Sequence, residues 1–212
     1  MSDIELLKEM REFAKAEWIP ILREDSEEFL IKILKEKQPK TCLELGCGMG
    51  YSSILFSYTL NDCIEIDTIE RDQERINLAK QYLNLYGREN IHLFEGNAEL
   101  IIKHLNGPYD FVFIDANKSK ILEYFKEALK LSSNKAFIVI DNVALEGETF
   151  SKKYPAHKHR TSIYRTREFV KLLNVCPNDR TPTECRVFDV NIKVTYYSFD
   201  DGLLLIEKTN LN

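Results

Sequence analysis

Short apolar runs alternate with longer amphipathic segments over most of this 212-residue chain. The runs have the length of buried strands, and the segments between them are long enough for helices, as at residues 71–86. The predicted strands cover residues 41–45, 63–69, 91–94, 111–114 and 136–140. Strands that alternate with helices indicate an α/β fold in which helices cover a mostly parallel sheet.

The two ends of the chain depart from this alternation. Residues 1–38 contain two amphipathic segments, with Pro20 between them and Asp25 and Glu28 spaced as a helix capping box. Near the other end, two strand-like runs at residues 191–198 and 203–207 are separated by Phe199-Asp200-Asp201-Gly202. This spacing predicts a hairpin and therefore one antiparallel strand. We expect a single domain over residues 1–212 with a helical lead-in at 1–38.

Composition narrows the class of protein. The net charge is −5, with 44% hydrophobic and 30% charged residues, which is typical of a globular chain. No apolar run approaches the roughly 20 residues of a membrane span, and the N-terminus lacks the pattern of a secretion signal, so we expect a cytoplasmic protein without a membrane segment. The five cysteines contain no CxxC pair, which argues against a disulfide framework or a thiolate zinc site.

Three glycines follow the first predicted strand. Gly46, Gly48 and Gly50 allow a tight turn and a close approach of a ligand to the backbone before the next helix. A dinucleotide fingerprint needs its third glycine where Tyr51 stands. The spacing, preceded by Glu44, therefore favours S-adenosylmethionine (SAM) over NAD, although a structural turn with incidental glycines gives the same pattern.

Polar residues also follow the second and third strands. Glu70 lies about twenty residues beyond the glycine loop, where an acid can accept hydrogen bonds from both hydroxyls of an adenosine ribose. The alternative for Glu70 is a helix N-cap. Asn97 and Ala98 follow the third strand, where small residues can border an adenine ring or form a plain turn.

The fourth and fifth strands end in acids. Asp115 follows one strand, with Lys118 three residues later, and Asp141 and Asn142 follow the next. Adjacent ends of parallel strands bring these side chains together, and oxygen ligands of this kind suit a hard cation, Mg²⁺ above all. Each residue alone could instead form an Asx turn or a helix cap.

Taken in order, these motifs resemble the cation-dependent O-methyltransferases, the family of catechol and caffeoyl-CoA O-methyltransferases and bacterial tRNA hydroxyuridine methyltransferases. The resemblance extends over most of the chain and is carried by the segments Glu44-Leu45-Gly46-x-Gly48-x-Gly50-Tyr51-Ser52-Ser53, Thr68-Ile69-Glu70-Arg71, Phe113-Ile114-Asp115-Ala116-x-Lys118, Ile140-Asp141-Asn142-Val143 and Asp201-Gly202.

The resemblance implies a Rossmann-like class I methyltransferase fold, with seven mostly parallel strands, one antiparallel strand near the C-terminus and helices on both faces. It also implies the roles of individual residues. The cofactor SAM would be held by Glu44, Gly46, Gly48, Gly50, Ser52, Glu70, Asn97, Ala98 and Asp115. Mg²⁺ or another divalent cation would be held by Asp115, Asp141 and Asn142. Lys118 would be the catalytic base, and the protein would form a homodimer, as is common in the family.

The N-terminal region, including Trp18 and Pro20, looks most like the tRNA branch, whose acceptor is 5-hydroxyuridine at the wobble position. Residues 151–171, named here the basic segment, agree with this interpretation because they contain seven Lys or Arg and one acid, Glu168. Lys158, Arg160 and Arg165 are its candidate phosphate contacts. A solvated loop and helix remain the alternative reading of this charge.

Three other functions stay open. A small catechol or caffeoyl-type acceptor would use the same catalytic core as tRNA. An NAD-dependent oxidoreductase would share the glycine loop and Glu70 but has no use for Asp115, Asp141 and Asn142. A noncatalytic RNA-binding module would need the basic segment without that set.

Overall fold

The computed structural model describes residues 2–155, 159–177 and 181–209. They form two compact units, Met1–His104 and Leu105–Asn212. No helix within the described ranges is long and apolar enough to cross a membrane. Each unit has strands at its centre and helices packed against them, so the mixed α/β class is confirmed. The single-domain organisation stays a prediction.

The first unit contains three parallel strands in the order β3, β2, β1. Its elements are α1 (Asp3–Ala16), α2 (Glu24–Lys37), β1 (Thr41–Leu45), α3 (Tyr51–Thr59), β2 (Glu65–Glu70), α4 (Gln73–Tyr86), β3 (Ile91–Glu95) and the short α5 (Ala98–Ile101), followed by a 3₁₀ turn at Ile102–His104. In β1, the last four residues are buried, as expected for an inner parallel strand.

The N-terminal helices form as predicted, with one difference. The buried stripe of α1 contains Leu6, Leu7 and Met10, and Pro20 lies beyond its end. The second helix begins at Glu24, so Asp25 lies in its first turn and not at the cap. The predicted capping box is therefore wrong. Three acids in that first turn instead complement the positive end of the helix dipole, and Gln38 ends the helix in a left-handed conformation.

The second unit contains five strands in the order β4, β5, β8, β7, β6. Its elements are β4 (Tyr109–Ile114), a 3₁₀ turn (Lys118–Lys120), α6 (Ile121–Leu131), β5 (Ser132–Ile140), α7 (Arg160–Leu172), β6 (Thr183–Val187), β7 (Val190–Tyr197) and β8 (Leu203–Lys208). β4 and β5 are parallel, whereas the pairs β5–β8, β8–β7 and β7–β6 are antiparallel. Two strands, β6 and β8, are therefore antiparallel to β4, β5 and β7.

The predictions of seven strands and of one antiparallel strand are wrong, because the described residues form eight strands, two of them reversed. The predicted hairpin at 199–202 is present, and Gly202 N donates to Phe199 O (2.9 Å). The missed strand is β6, which alternates exposed and half-buried side chains and has few apolar residues. Its turn to β7 uses Phe188 and Asp189 at positive φ, without the Asn-Gly or Asp-Gly pair that marks such turns.

The turn before β8 gives a test of local packing. Gly202 has φ +77°, and a Cβ there would lie 2.9 Å from Tyr196 Oη and 3.0 Å from Ala144 Cβ. Gly147 has a similar φ of +81° but no atom within 4 Å of such a Cβ. In urea unfolding we expect Gly147→Ala to lose about 1 kcal/mol from backbone strain and Gly202→Ala to lose clearly more. Equal losses would contradict the close contact.

Candidate functional site

The glycine loop of the first unit, residues 46–50, follows β1 and ends where α3 begins. Gly46 N donates to Ile69 O (2.9 Å), and Gly50 N donates to Cys47 O (2.8 Å). At Gly48, φ is +55° and a Cβ would meet no atom within 4 Å. The loop thus adopts a left-handed turn that favours glycine, and its backbone is open to a ligand.

Glu70 at the end of β2 holds this loop. Its Oε2 accepts from Gly48 N (2.9 Å), and its Oε1 accepts from Arg71 N (2.8 Å) and Asp72 N (2.9 Å). A carboxylate with three backbone donors is well satisfied in a buried position. The side chain therefore lies against the glycine loop, as its predicted part in a cofactor site requires.

The helix-cap alternative for Glu70 is wrong, because another residue caps α4. Asp72 accepts from Glu74 N and Arg75 N, both at 3.1 Å. A similar arrangement follows β3, where Asn97 accepts from Glu99 N (2.9 Å) at the start of α5 and Ala98 is buried. Asn97 thus acts as a helix cap in this structure, and its contact with adenine stays a prediction.

Glu44 lies deeper than a ligand contact would require. Its side chain is fully buried, with 0% exposure, and it accepts hydrogen bonds from Thr68 Oγ1 (2.6 Å) and Ser53 Oγ. Ser53 belongs to the first turn of α3 and Thr68 to β2, so Glu44 in β1 connects these two elements through its side chain. Ser52, in the same turn, is 7% exposed. Cofactor contacts by Glu44 and Ser52 stay predictions.

In the second unit, the ends of β4 and β5 bring together the residues that the sequence placed there. Asp115 Oδ1 accepts from Asn142 Nδ2 (3.2 Å) and lies 3.4 Å from Lys118 Nζ. Lys118 Nζ also donates to Ala116 O (3.1 Å), and the lysine side chain is only 7% exposed. Parallel pairing of Ile114 with Ile140 accounts for this proximity.

Asp141 has an unfavourable electrostatic position. It is 3% exposed, and burial, with the negative charge of Asp115 as the next cause, raises its pKa from 3.8 to about 6. Lys118 and the backbone N–H of Asn142 act in the opposite direction without cancelling this rise. Two carboxylates and an amide oxygen at adjacent strand ends suit a hard cation, which would balance their charge.

The described part of the chain contains no group of three or more His, Cys, Asp or Glu side chains placed to hold a metal ion. The set Asp115, Asp141 and Asn142 has two acids and one amide, so it lies outside that kind of cluster. Asn142 has φ +55°, a conformation that is uncommon outside Asn, Asp and Gly. The amide Nδ2 faces Asp115 here, and an amide flip would present Oδ1 instead.

A cavity of about 340 Å³ lies beside Lys118 in the second unit. Two apolar residues, Leu145 and Ile163, line it together with the polar or charged residues Lys118, Glu146, Glu148, His159, Ser162 and Asp201. Asp201 Oδ1 accepts from Glu146 N (2.6 Å), which ties the segment after β5 to the turn before β8. A volume of this size holds a small organic molecule.

Sequence reasoning missed most of this lining. Glu146 and Glu148 stand in an irregular segment after β5, and Ser162 faces the cavity only because α7 crosses that region. Neither spacing nor composition marks them. Asp201 lies in the predicted turn before the last strand, and in the structure this buried residue borders the cavity.

Several cationic side chains of the basic segment bind other groups of the protein. The Arg167 guanidinium donates to Glu148 O and Lys153 O (2.8 and 3.0 Å), and Arg160 stacks 4.9 Å above the Tyr154 ring. Arg165 forms an exposed ion pair with Glu168 (3.1 Å). The candidate contact Lys158 lies outside the described residues, so phosphate contacts by Lys158, Arg160 and Arg165 stay predictions.

The chain is similar in sequence to known proteins. A family model described as O-methyltransferase matches residues 1–209. A catechol O-methyltransferase of Niastella koreensis is 33% identical, over 58% of each chain. A caffeoyl-CoA O-methyltransferase of Eucalyptus gunnii is 28% identical and aligns with 98% of this chain and 82% of its own.

Among solved structures, the O-methyltransferase TomG of Streptomyces achromogenes, in complex with SAM, is 27% identical. It superposes with a TM-score of 0.76 and covers 97% of this chain and 90% of its own. The Rossmann-like methyltransferase fold is therefore confirmed.

The neighbouring strand ends provide a matched test of Glu70. Glu95 pairs in register with Glu70 but makes only an exposed ion pair with Lys80 (2.6 Å). We expect Glu70→Ala to lower the free energy of unfolding by about 1–3 kcal/mol, because three backbone donors lose their acceptor, and Glu95→Ala to lower it by less than about 1 kcal/mol. Urea titration measures both. Similar losses in the two variants would show that Glu70 does not hold the loop.

Proposed function

The chain belongs to the O-methyltransferase family and is a SAM-dependent O-methyltransferase, and we propose that it methylates a hydroxyl of a small, neutral or cationic aromatic with the help of a divalent cation. The observation that carries this proposal is the position of Lys118, between the acids at the ends of β4 and β5 and a cavity of small-molecule size. Family membership also sets aside the NAD-dependent oxidoreductase and the noncatalytic RNA-binding module.

We assign SAM to the carboxyl edge of the first unit. The open backbone of Gly48 and the adjacent carboxylate of Glu70 offer a surface for the amino-acid and ribose groups of the cofactor. Glu70 Oε1 already accepts two hydrogen bonds and Oε2 accepts one, so about one acceptor position, on Oε2, remains for a hydroxyl donor. The relative TomG, in complex with SAM, supports the choice of cofactor.

The acids of the second unit fit a divalent cation. Asp115, Asp141 and the Asn142 amide would hold it, and a bound cation would favour the charged form of Asp141, whose pKa is raised by burial and then by the like charge of Asp115. When bound, such an ion stabilises the negative charge that develops on the acceptor oxygen. Asp115 is also a candidate contact to the cofactor.

Lys118 is placed to act on the acceptor itself. Its Nζ lies at the cavity wall, with Ala116 O and Asp115 Oδ1 fixing its direction. We assign to its neutral amine the removal of the hydroxyl proton, which converts the amine to an ammonium; the oxygen then attacks the methyl carbon of SAM, the carbon–sulfur bond breaks, and the sulfonium becomes a neutral thioether. Burial of the lysine keeps water from competing for that proton.

The charge of the cavity selects among acceptors. Three carboxylates line it, from Glu146, Glu148 and Asp201. The guanidinium of Arg167 balances part of this negative charge, because it lies 3.8 Å from one oxygen of Glu148. The leucine and isoleucine of the lining provide an apolar surface for a ring. A carboxylate or phosphate of the acceptor that lies beside these three acids would face repulsion, whereas an ammonium group in that position would be attracted.

A tRNA acceptor is the second candidate. The observation in its favour is that the basic segment contributes His159, Ser162 and Ile163 to the cavity wall, so bound RNA could extend from the cavity along the same segment. Lys152, Lys153 and Lys171 are exposed there. The internal use of Arg167 and the acids in the cavity favour the small acceptor. Assembly as a homodimer also stays a prediction.

Cation dependence can be tested by thermal unfolding. For the wild type, a tenfold excess of Mg²⁺ over its dissociation constant should add about 1.4 kcal/mol of stability relative to EDTA. Asp141→Asn should lose most of this gain, whereas Glu146→Gln, which changes an exposed acid outside the ligand set, should keep it. Methyl transfer in excess EDTA at the rate seen with Mg²⁺ would exclude the cation from the reaction.

The acceptor can be tested with catechols that differ only in charge. With SAM and Mg²⁺, kcat/KM should be highest for dopamine, intermediate for catechol and lowest for 3,4-dihydroxybenzoate, with about tenfold or more between the extremes, or ~1.4 kcal/mol. Replacing Glu146 and Glu148 together by Gln should reduce that ratio. Faster methylation of 5-hydroxyuridine tRNA than of any catechol would favour the second candidate and overturn the first.

A further inference from the structure

Tyr51, the first residue of α3, makes contacts that the proposed chemistry does not use. Its side chain is 4% exposed, and its hydroxyl donates to Glu27 Oε2 (2.8 Å) and accepts from Arg11 Nη2 (3.0 Å). The Arg11 guanidinium also lies 5.1 Å above the tyrosine ring. Arg11 belongs to α1 and Glu27 to α2, so both N-terminal helices converge on this one residue.

The three side chains form a closed set. Arg11 and Glu27 are ion-paired with each other, and Arg11 Nη1 donates to Leu22 O (3.3 Å) in the link between the two helices. Burial and the nearby Glu27 raise the pKa of Tyr51 to about 12, so its hydroxyl remains a donor at neutral pH. The Tyr51 hydroxyl therefore both donates and accepts a hydrogen bond within this set.

Tyr51 directly follows Gly50, the last residue of the glycine loop. Three of the five loop positions are glycines, and a Cβ at Gly48 would touch nothing, so the side-chain packing of the loop comes from the buried Cys47 and Met49. The glycine positions depend in addition on how firmly the ends of the loop are held, because glycine has the largest conformational entropy to lose. Glu44 and Glu70 act from the strands, and Tyr51 fixes the other end.

We infer that Tyr51 is a positioning residue for the cofactor, and that Arg11 and Glu27 make the N-terminal helices part of the SAM site by holding it. The inference rests on the proposed assignment of the glycine loop to SAM. A loop fixed in its binding conformation before the ligand arrives binds more tightly, because less entropy is lost on association. Tyr51 itself needs no contact with SAM for this effect.

The same unit contains a matched control. Tyr86 is 2% exposed, and its hydroxyl donates to Asp62 Oδ1 (2.5 Å). The Arg88 guanidinium lies 5.0 Å above the Tyr86 ring and pairs with Asp62 (2.8 Å). Tyr86 thus also donates to a carboxylate that is paired with an arginine stacked on its ring, and its hydroxyl contacts Ser57 Oγ (3.1 Å) as well. Asp62 precedes β2, at the end of the strand away from the glycine loop.

The test is SAM binding by calorimetry, together with urea unfolding, on full-length variants. Tyr51→Phe and Glu27→Ala should raise the dissociation constant of SAM by about fivefold to thirtyfold, the usual effect of removing a buried hydrogen bond to a charged group. Glu27→Gln keeps an acceptor for the Tyr51 hydroxyl and should raise it by less than about threefold. Tyr86→Phe should leave SAM affinity unchanged, even where it lowers stability as much as Tyr51→Phe does.

Hydrogen exchange of the 46–50 amides without SAM gives a second readout. Exchange there should accelerate in Tyr51→Phe and not in Tyr86→Phe. Wild-type affinity for SAM in Tyr51→Phe, or an equal loss of affinity in Tyr86→Phe, would overturn the inference. Tight SAM binding that persists in Glu70→Ala would instead refute the assignment of the loop to SAM, so the two failures can be told apart.

Discussion

Parallel pairing places the residue after one strand beside the residue after its neighbour, and both candidate sites are built from such residues. In the first unit, the pairing of β1 with β2 brings Glu70 to the glycine loop. In the second, the pairing of β4 with β5 brings Asp115 to Asn142. Without that register, the polar groups at these ends would be isolated side chains on separate turns.

The buried acids meet their desolvation cost in different ways. Glu70 is satisfied by backbone donors, so its charge is compensated within the fold. Asp141 lies beside a second carboxylate, and its raised pKa shows that the chain alone does not balance that charge. This contrast agrees with a structural and ligand-orienting role for Glu70 and with a cation-holding role for Asp141.

The basic segment shows how tertiary contacts change the meaning of a charge run. Its sequence suggests a continuous surface for phosphates, but Arg167 binds two carbonyl oxygens and Arg160 stacks on a tyrosine. These groups shape the wall of the cavity, because they fix the segment after β5 against α7. The cavity itself is lined by three acids and by Lys118, so its formal charge is negative, although the basic segment that forms part of its wall is positive.

The alternation of strands and helices, the glycine loop and the strand-end acids could all be predicted from the sequence, because each depends on local periodicity or on residues next to a strand. Strand β6 could not, since a polar edge strand is specified by its partner and not by its own pattern. The same holds for the cavity acids and for the contact of Arg11 and Glu27 with Tyr51, which lie 40 and 24 residues apart in the chain. Periodicity carries no information about such pairs, and only the packing of helices and strands decides them.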